Sequence, residues 1–233
     1  MSKARGQSIE IKSIFPYGVA GLLKGQDILI RDGVSSGVGM VGPTVGLAIE
    51  NRFSLKELNV LRIAGWIPIQ KGIGKIDIQT WGSELYREHR IGVGYGLPVS
   101  KTFRLGIEFD GMTYRFKESS PLFCIQSGID FVYDISAKSK LGFQFQQSRA
   151  VKKINSENKL QRFQTSVVHQ LNDNLCIGIE SVKESGGSIT TGNFLQWIVS
   201  KKLKLWGYLN YSSAEMMVGG QLPVGKYKYT LSM

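Results

Sequence analysis

An all-β fold, specifically an antiparallel transmembrane-type β-barrel of about 12–14 strands, is what this sequence predicts, on three observations. Apolar and polar residues alternate at a period of two along almost the whole chain. Glycine is frequent at 28 residues while proline is scarce at 6, as an extended, glycine-tolerant architecture requires. The alternating segments run to about ten residues, the length a tilted strand needs to cross a bilayer, and only short breaks separate them.

Taken in chain order, residues 1–42 stand apart. Ser13 to Lys24 reads as irregular or briefly helical, Asp27 to Arg31 as a short strand, and Gly33 to Gly42 as a glycine-rich stretch. This segment is expected either to fold into the lumen or lie across the periplasmic mouth as a plug, or to be a disordered lead-in. The barrel is expected over 43–233.

Alternation begins at Val45–Phe53 and returns at Leu61–Ile69 and Ile76–Thr80. In Ile91–Val99 five apolar side chains alternate with Gly92, Gly94, Gly96 and Pro98. Phe103, Leu105, Ile107 and Phe109 then alternate with Arg104, Gly106, Glu108 and Asp110. Ile125, Ile129, Phe131 and Tyr133 oppose Cys124, Gln126, Asp130 and Asp134, and Leu141, Phe143 and Phe145 oppose Gly142, Gln144 and Gln146. The rhythm continues through Phe163–Leu171, Leu175–Ser181, Leu195–Val199, Leu203–Tyr211 and Tyr227–Met233. Breaks at 55–57, 71–72, 100–101, 137–139, 172–174 and 184–187 fit hairpins, because a parallel crossover needs a dozen or more residues.

The content of each face selects a membrane barrel over a soluble sandwich. The polar set is charged and glycine-rich, and Arg62, Arg104, Glu108, Asp110, Asp130 and Arg162 are expected to line the interior. Trp66, Trp81 and Trp206 fall on the same side as lumen packing or an apolar ligand patch. The apolar set carries aromatics towards strand ends, namely Phe53, Phe103, Phe116, Phe123, Tyr133 and Tyr211, which suggests interfacial girdles.

Composition removes other classes. At 42% hydrophobic and 20% charged residues the 233-residue chain is not a disordered tail, and no stretch approaches eighteen uninterrupted apolar residues. Two cysteines and two histidines exclude a disulfide framework and most zinc centres, so no metal is expected. The net charge of +11 is scattered through turns rather than gathered on one stripe beside stacking aromatics, which argues against nucleic acid and leaves solvated turns or contact with lipid phosphates.

Catalytic readings fail on context. Gly37–Gly42 matches a dinucleotide fingerprint, yet Pro43 and a strand follow where a helix amino terminus is needed. Glu108 and Asp110 share a face, but Arg104 and Arg62 on that face would hold them ionised as paired lumen charges. His89 reads as part of a turn, His169 belongs with Val167 and Leu171 on the apolar face, and neither has a nucleophile motif beside it. No enzyme and no cofactor are expected. The amino end lacks an apolar signal region, so the recorded sequence is expected to begin downstream of the true initiator of an exported protein.

TVGLAIENRFSLKELN (44–59) and IDIQTWGSELYREHRIGVGYG (76–96), and more loosely LGIEFDGMTYRF, LGFQFQQSRA and LCIGIESV, resemble the fatty-acid-transporter-like outer-membrane barrels of Bacteroidetes associated with type IX protein secretion. The amino-terminal Asn-Pro-Ala motif of many relatives is absent, and the carboxyl end alternates Tyr227, Tyr229, Leu231 and Met233 without a terminal aromatic. The resemblance implies a non-enzymatic, porin-like barrel in the outer membrane, with outer-membrane lipid and a secretion channel protein as partners. The alternatives are an outer-membrane channel for hydrophobic small molecules and a soluble β-barrel binding subunit of a secretion complex.

Overall fold

The computed structural model describes residues 44–51, 59–151, 159–200, 203–211, 215–224 and 227–232. The expectations for residues 1–42, for the break at 55–57 and for Phe53 lie outside them.

Thirteen strands are present among the described residues: β1 Thr44–Asn51, β2 Asn59–Ile69, β3 Gly72–Gly82, β4 Tyr86–Pro98, β5 Phe103–Phe116, β6 Leu122–Asp134, β7 Ser139–Ala150, β8 Lys159–Asn172, β9 Leu175–Glu184, β10 Ile189–Ser200, β11 Leu203–Asn210, β12 Glu215–Val224 and β13 Tyr227–Ser232. They form one sheet in chain order, each strand antiparallel to the next. This up-and-down meander follows from the connections, which are two to four residues long at one rim and three to eight at the other. Among the described residues the short-turn rim carries 70–71, 99–102, 135–138 and 173–174, and the far rim carries 83–85, 117–121 and 185–188.

Local chemistry closes the short turns. Ser100 Oγ accepts from the amides of Thr102 (3.2 Å) and Phe103 (3.0 Å), and Ser136 Oγ does the same for Lys138 and Ser139. Asn172 Oδ1 accepts from the Asn174 amide at 2.9 Å. At the far rim Gly82 takes φ 118°, a conformation side chains resist, so that Ser83 N can donate to the Tyr86 carbonyl at 2.7 Å.

Burial is inverted relative to a water-soluble protein. On β3 to β10 the buried face is polar and charged: Lys75 is 3% exposed, Asp77 1%, Glu108 2% and Glu180 1%. The opposite face leaves Ile91 60%, Phe109 56% and Ile179 56% exposed. A single sheet covers one of its own faces by curling, and here the covered face is the charged one, as in the wall of a transmembrane-type β-barrel.

The outer apolar band crosses the strands obliquely. The row of register partners that starts at Ile91 runs through Gly111, Ile125 and Arg149 to Lys159, whereas the outer apolar residues of β8 begin four positions later at Phe163. Four residues over four strand-to-strand steps is about 3.3 Å along for each 4.8 Å across, a tilt on the order of 35°. With that tilt the outer apolar run Ile91–Val99 spans roughly 20 Å along the barrel axis, close to the height of a membrane barrel's lipid-facing band.

Aromatic side chains stack along this wall. Phe103 and Phe131 lie 5.7 Å apart, Phe131 and Phe143 5.1 Å, and Phe145 and Phe163 4.7 Å, all at outer-face positions.

Two placements differ from the sequence expectation. His89 lies inside β4, paired with Thr80 and Thr113, because the turn is made by Ser83–Leu85 and the charged run Arg87–Arg90 continues the strand. Phe116 shares its face with Tyr114 and Glu108 on β5 and so belongs to the inner side, at the far rim, rather than to an outer girdle.

Candidate functional site: the polar interior

Glycines on alternate strands make the interior possible. One register row reads Lys75, Gly94, Glu108, Gly128, Gln146 across β3 to β7, large and small in turn. Side chains two strands apart therefore meet over the glycine between them. Lys75 Nζ lies 3.4 Å from Glu108 Oε2 across Gly94, and Gln146 Nε2 donates to Glu108 Oε1 at 2.8 Å across Gly128. A Cβ at Gly128 would stand 2.9 Å from Glu108 Cγ and Oε1, and one at Gly92 would stand 2.0 Å from Asp110 Oδ1. The glycine content of the polar face is thus space for carboxylates.

The inner charges form layers. Midway along the barrel, Glu108 is the hub, held by Lys75, Gln146 and, at 3.4 Å, Gln144. Beside it Arg90 NH2 meets Asp110 Oδ2 at 3.0 Å, and Gln164 Nε2 donates to Glu180 Oε2 at 2.9 Å. Towards the short-turn rim Arg104 pairs with Asp134, which also takes Lys140 at 3.3 Å. Towards the far rim Arg162 Nε lies 3.8 Å from Glu184 Oε1, and the Tyr86 hydroxyl donates to Glu88.

The expected lining residues thus fall into separate layers. Glu108 and Asp110 are buried together, and Asp130 is buried on β6 with Gln144 as its register partner. Arg104 and Arg162 occupy opposite ends and hold other carboxylates. The side chain of Arg62 lies outside the described ones, as does that of Trp206; the backbone of Arg62 pairs with Ala48 and Gln79. Among the described side chains the cations within salt-bridge distance of Glu108 and Asp110 are Lys75 and Arg90, whereas Arg104 holds Asp134. Alternation could have found Arg90, since it shares the parity of Gly92, Gly94 and Gly96; reading Arg87–Arg90 as a turn hid it.

At the far rim the inner face turns aromatic. Trp81 and Tyr86 meet edge-on at 5.4 Å, and Tyr86 lies 4.9 Å from Phe116. Tyr114 and Met112 are buried directly beneath, with the Tyr114 hydroxyl 3.5 Å from Met112 Sδ. Trp66 is fully buried on the inner face nearer the short-turn rim. The outer wall carries a groove of about 510 Å³ across β8 to β11, edged by Ile177, Ile179, Leu195 and Leu209 and reached by His169, whose Nδ1 is 2.9 Å from Ser139 Oγ.

Chemically, the interior holds ion pairs, and each carboxylate of the Glu108–Asp110 pair faces a cation within salt-bridge distance. Among the described residues no group of three His, Cys, Asp or Glu side chains could hold a metal ion. Cys124 and Cys176 are free thiols on different strands.

No family model matches the chain, and no curated protein matches it. Among solved structures it is similar to the CymD monoaromatic hydrocarbon channel, with a TM-score of 0.62 at 8% identity over 90% of this chain and 87% of that one. It is also similar to the KdgM porin in complex with disordered oligogalacturonate, with a TM-score of 0.50 at 10% identity over 78% of this chain and 96% of that one. At these identities the likeness shows a shared fold, an all-β antiparallel barrel.

Proposed function

We propose that this chain is a non-enzymatic outer-membrane channel for small hydrophobic molecules. The observation that carries the reading is the inversion of the faces: a continuous apolar wall outside and a charged, hydrogen-bonded interior within. A soluble binding subunit would have to keep that wall in water. The short-turn rim then faces the periplasm and the far rim the exterior, as in membrane barrels with short periplasmic turns.

The choice of substrate rests on two features of the interior. Trp81, Tyr86 and Phe116 give the outward mouth an apolar, aromatic lining suited to a small ring compound. Lys75, Arg90, Arg104, Lys140 and Arg162 each have a carboxylate partner, which leaves no free cationic track for an acidic sugar among the described side chains of β3 to β9. The similar barrels include a monoaromatic hydrocarbon channel and a porin in complex with oligogalacturonate, an acidic sugar, and the paired interior favours the former. Arg62, Arg104, Glu108, Asp110, Asp130 and Arg162 line the passage in this reading, and the Glu108 layer is its closed constriction, which must part for a solute to pass.

The test is uptake of a radiolabelled monocyclic aromatic by Gram-negative cells with an intact lipopolysaccharide barrier and their own channels deleted. Expression of the chain raises the uptake rate several-fold, and Phe116→Asp lowers it towards that of cells with an empty vector. A rate equal to the empty vector overturns the channel reading. The role in type IX secretion rests on the sequence resemblance; uptake unchanged together with co-purification of a secretion channel protein would favour it instead.

A further inference from the structure

Charges on the strands are sorted by face. On β3 to β10 every described Asp and Glu occupies an inner-face position, from Asp77 on β3 to Glu184 on β9. The described charged side chains on the outer face of those strands are all cations: Arg87, Arg115, Arg149 and Lys183. They are also sorted by height. Arg87 is the second residue of β4, and Arg115, Arg149 and Lys183 are each second from the end of β5, β7 and β9, so all four stand at the far rim, above the apolar band.

Arg87 and Arg115 are direct register partners. Like charges directly opposite each other repel unless an anion sits between them. Among the described residues of β3 to β10 no carboxylate shares that face, and none pairs with Arg87, Arg115 or Arg149. Lys183 donates to the Gly187 carbonyl. The polar pair His89 and Thr113 separates the arginines from the first apolar outer positions, Ile91 and Phe109. That offset is the depth at which lipid headgroups meet a membrane wall, and guanidinium forks match phosphate oxygens two at a time.

We propose that Arg87, Arg115 and Arg149 form a binding rim for the phosphate groups of a phosphorylated glycolipid in the surrounding outer leaflet. The inference rests on the membrane-spanning reading above. Part of the net charge of +11 thus lies on the outer wall, where lipid phosphates neutralise it, while the described inner-face positions hold more carboxylates than cations.

The test titrates the detergent-solubilised full chain with bisphosphorylated lipid A, with the same lipid after removal of its phosphates, and with inorganic phosphate, followed by native mass spectrometry. Wild type holds the bisphosphorylated lipid at least tenfold more tightly than the dephosphorylated one, and added salt weakens that preference. The variant R87Q/R115Q/R149Q loses it, while K71Q/K101Q/K138Q, in the short turns at the other rim, retains it. Equal binding of the two lipids, or undiminished preference in the arginine variant, overturns the proposal, and so does binding that free phosphate displaces completely at equal concentration. Should the triple variant fail to fold, R115Q alone and the salt series on wild type read the same quantity. Gel mobility on boiling, recorded for every sample, separates the two readings. A chain that never becomes heat-modifiable sinks the membrane reading and this one with it, whereas a folded barrel without lipid preference sinks this one alone.

Discussion

Lys75 and Glu108 pose the central energetic question at the scale of single residues. Both are almost wholly buried and 3.4 Å apart, so removing one partner leaves a desolvated charge. Lys75→Met is expected to lower unfolding stability by about 3 kcal/mol, and Glu108→Gln in the same chain to restore most of it, since two glutamines already donate to that position. Urea titration of the four chains of this cycle measures the coupling; additive losses would show that the two do not act as a pair. Gly128→Val should be about as damaging, because a Cβ there meets the Glu108 side chain at 2.9 Å. The inner-face positions of Glu108 and Asp110 were legible in the sequence, since a period of two assigns faces without knowledge of neighbours. Their partners were not. Lys75 is thirty-three positions from Glu108 and meets it only because a register fixed by two hairpins puts Gly94 between them.

The strands and turns raise a different set of expectations. Gly82 combines φ 118° with a site where a Cβ would stand 2.1 Å from the Tyr86 carbonyl oxygen, so Gly82→Ala should cost roughly 1–3 kcal/mol and slow closure of the β3–β4 hairpin. Hydrogen exchange at Ser83, whose amide donates to that carbonyl, reports the effect locally. On β4 the outer position Val93 lies within the apolar band and Arg87 at its rim, so Val93→Arg should destabilise by about 2–4 kcal/mol while His89→Arg changes little. Equal losses at the two positions would place the band elsewhere. Strand number and hairpin order followed from alternation and short breaks. Strand ends did not: β4 begins five residues before its clean alternation, because Tyr86–Arg90 is polar on both faces where the wall leaves the apolar band. Phe116 misled for a related reason, since at a rim an aromatic on the inner face is chemically indistinguishable from a girdle residue.

At the largest scale, the thirteen described strands, an oblique apolar band and a charge-sorted wall all express one inversion of polarity. Aromatic residues gather at the inner far rim and cations at its outer side, so the two ends of the barrel differ in chemistry as well as in connection length. The measurement that addresses the inversion most directly is a cysteine scan of β4 from Arg90 to Leu97 in lipid vesicles, with Cys124 and Cys176 replaced by serine and each new thiol carrying a fluorophore. A lipid-soluble quencher and a water-soluble one are compared at every position. The account predicts a period of two, with lipid quenching greatest at 91, 93, 95 and 97 and weak at 90, 92, 94 and 96. Strong water-side quenching at the odd positions, or no alternation at all, would contradict it.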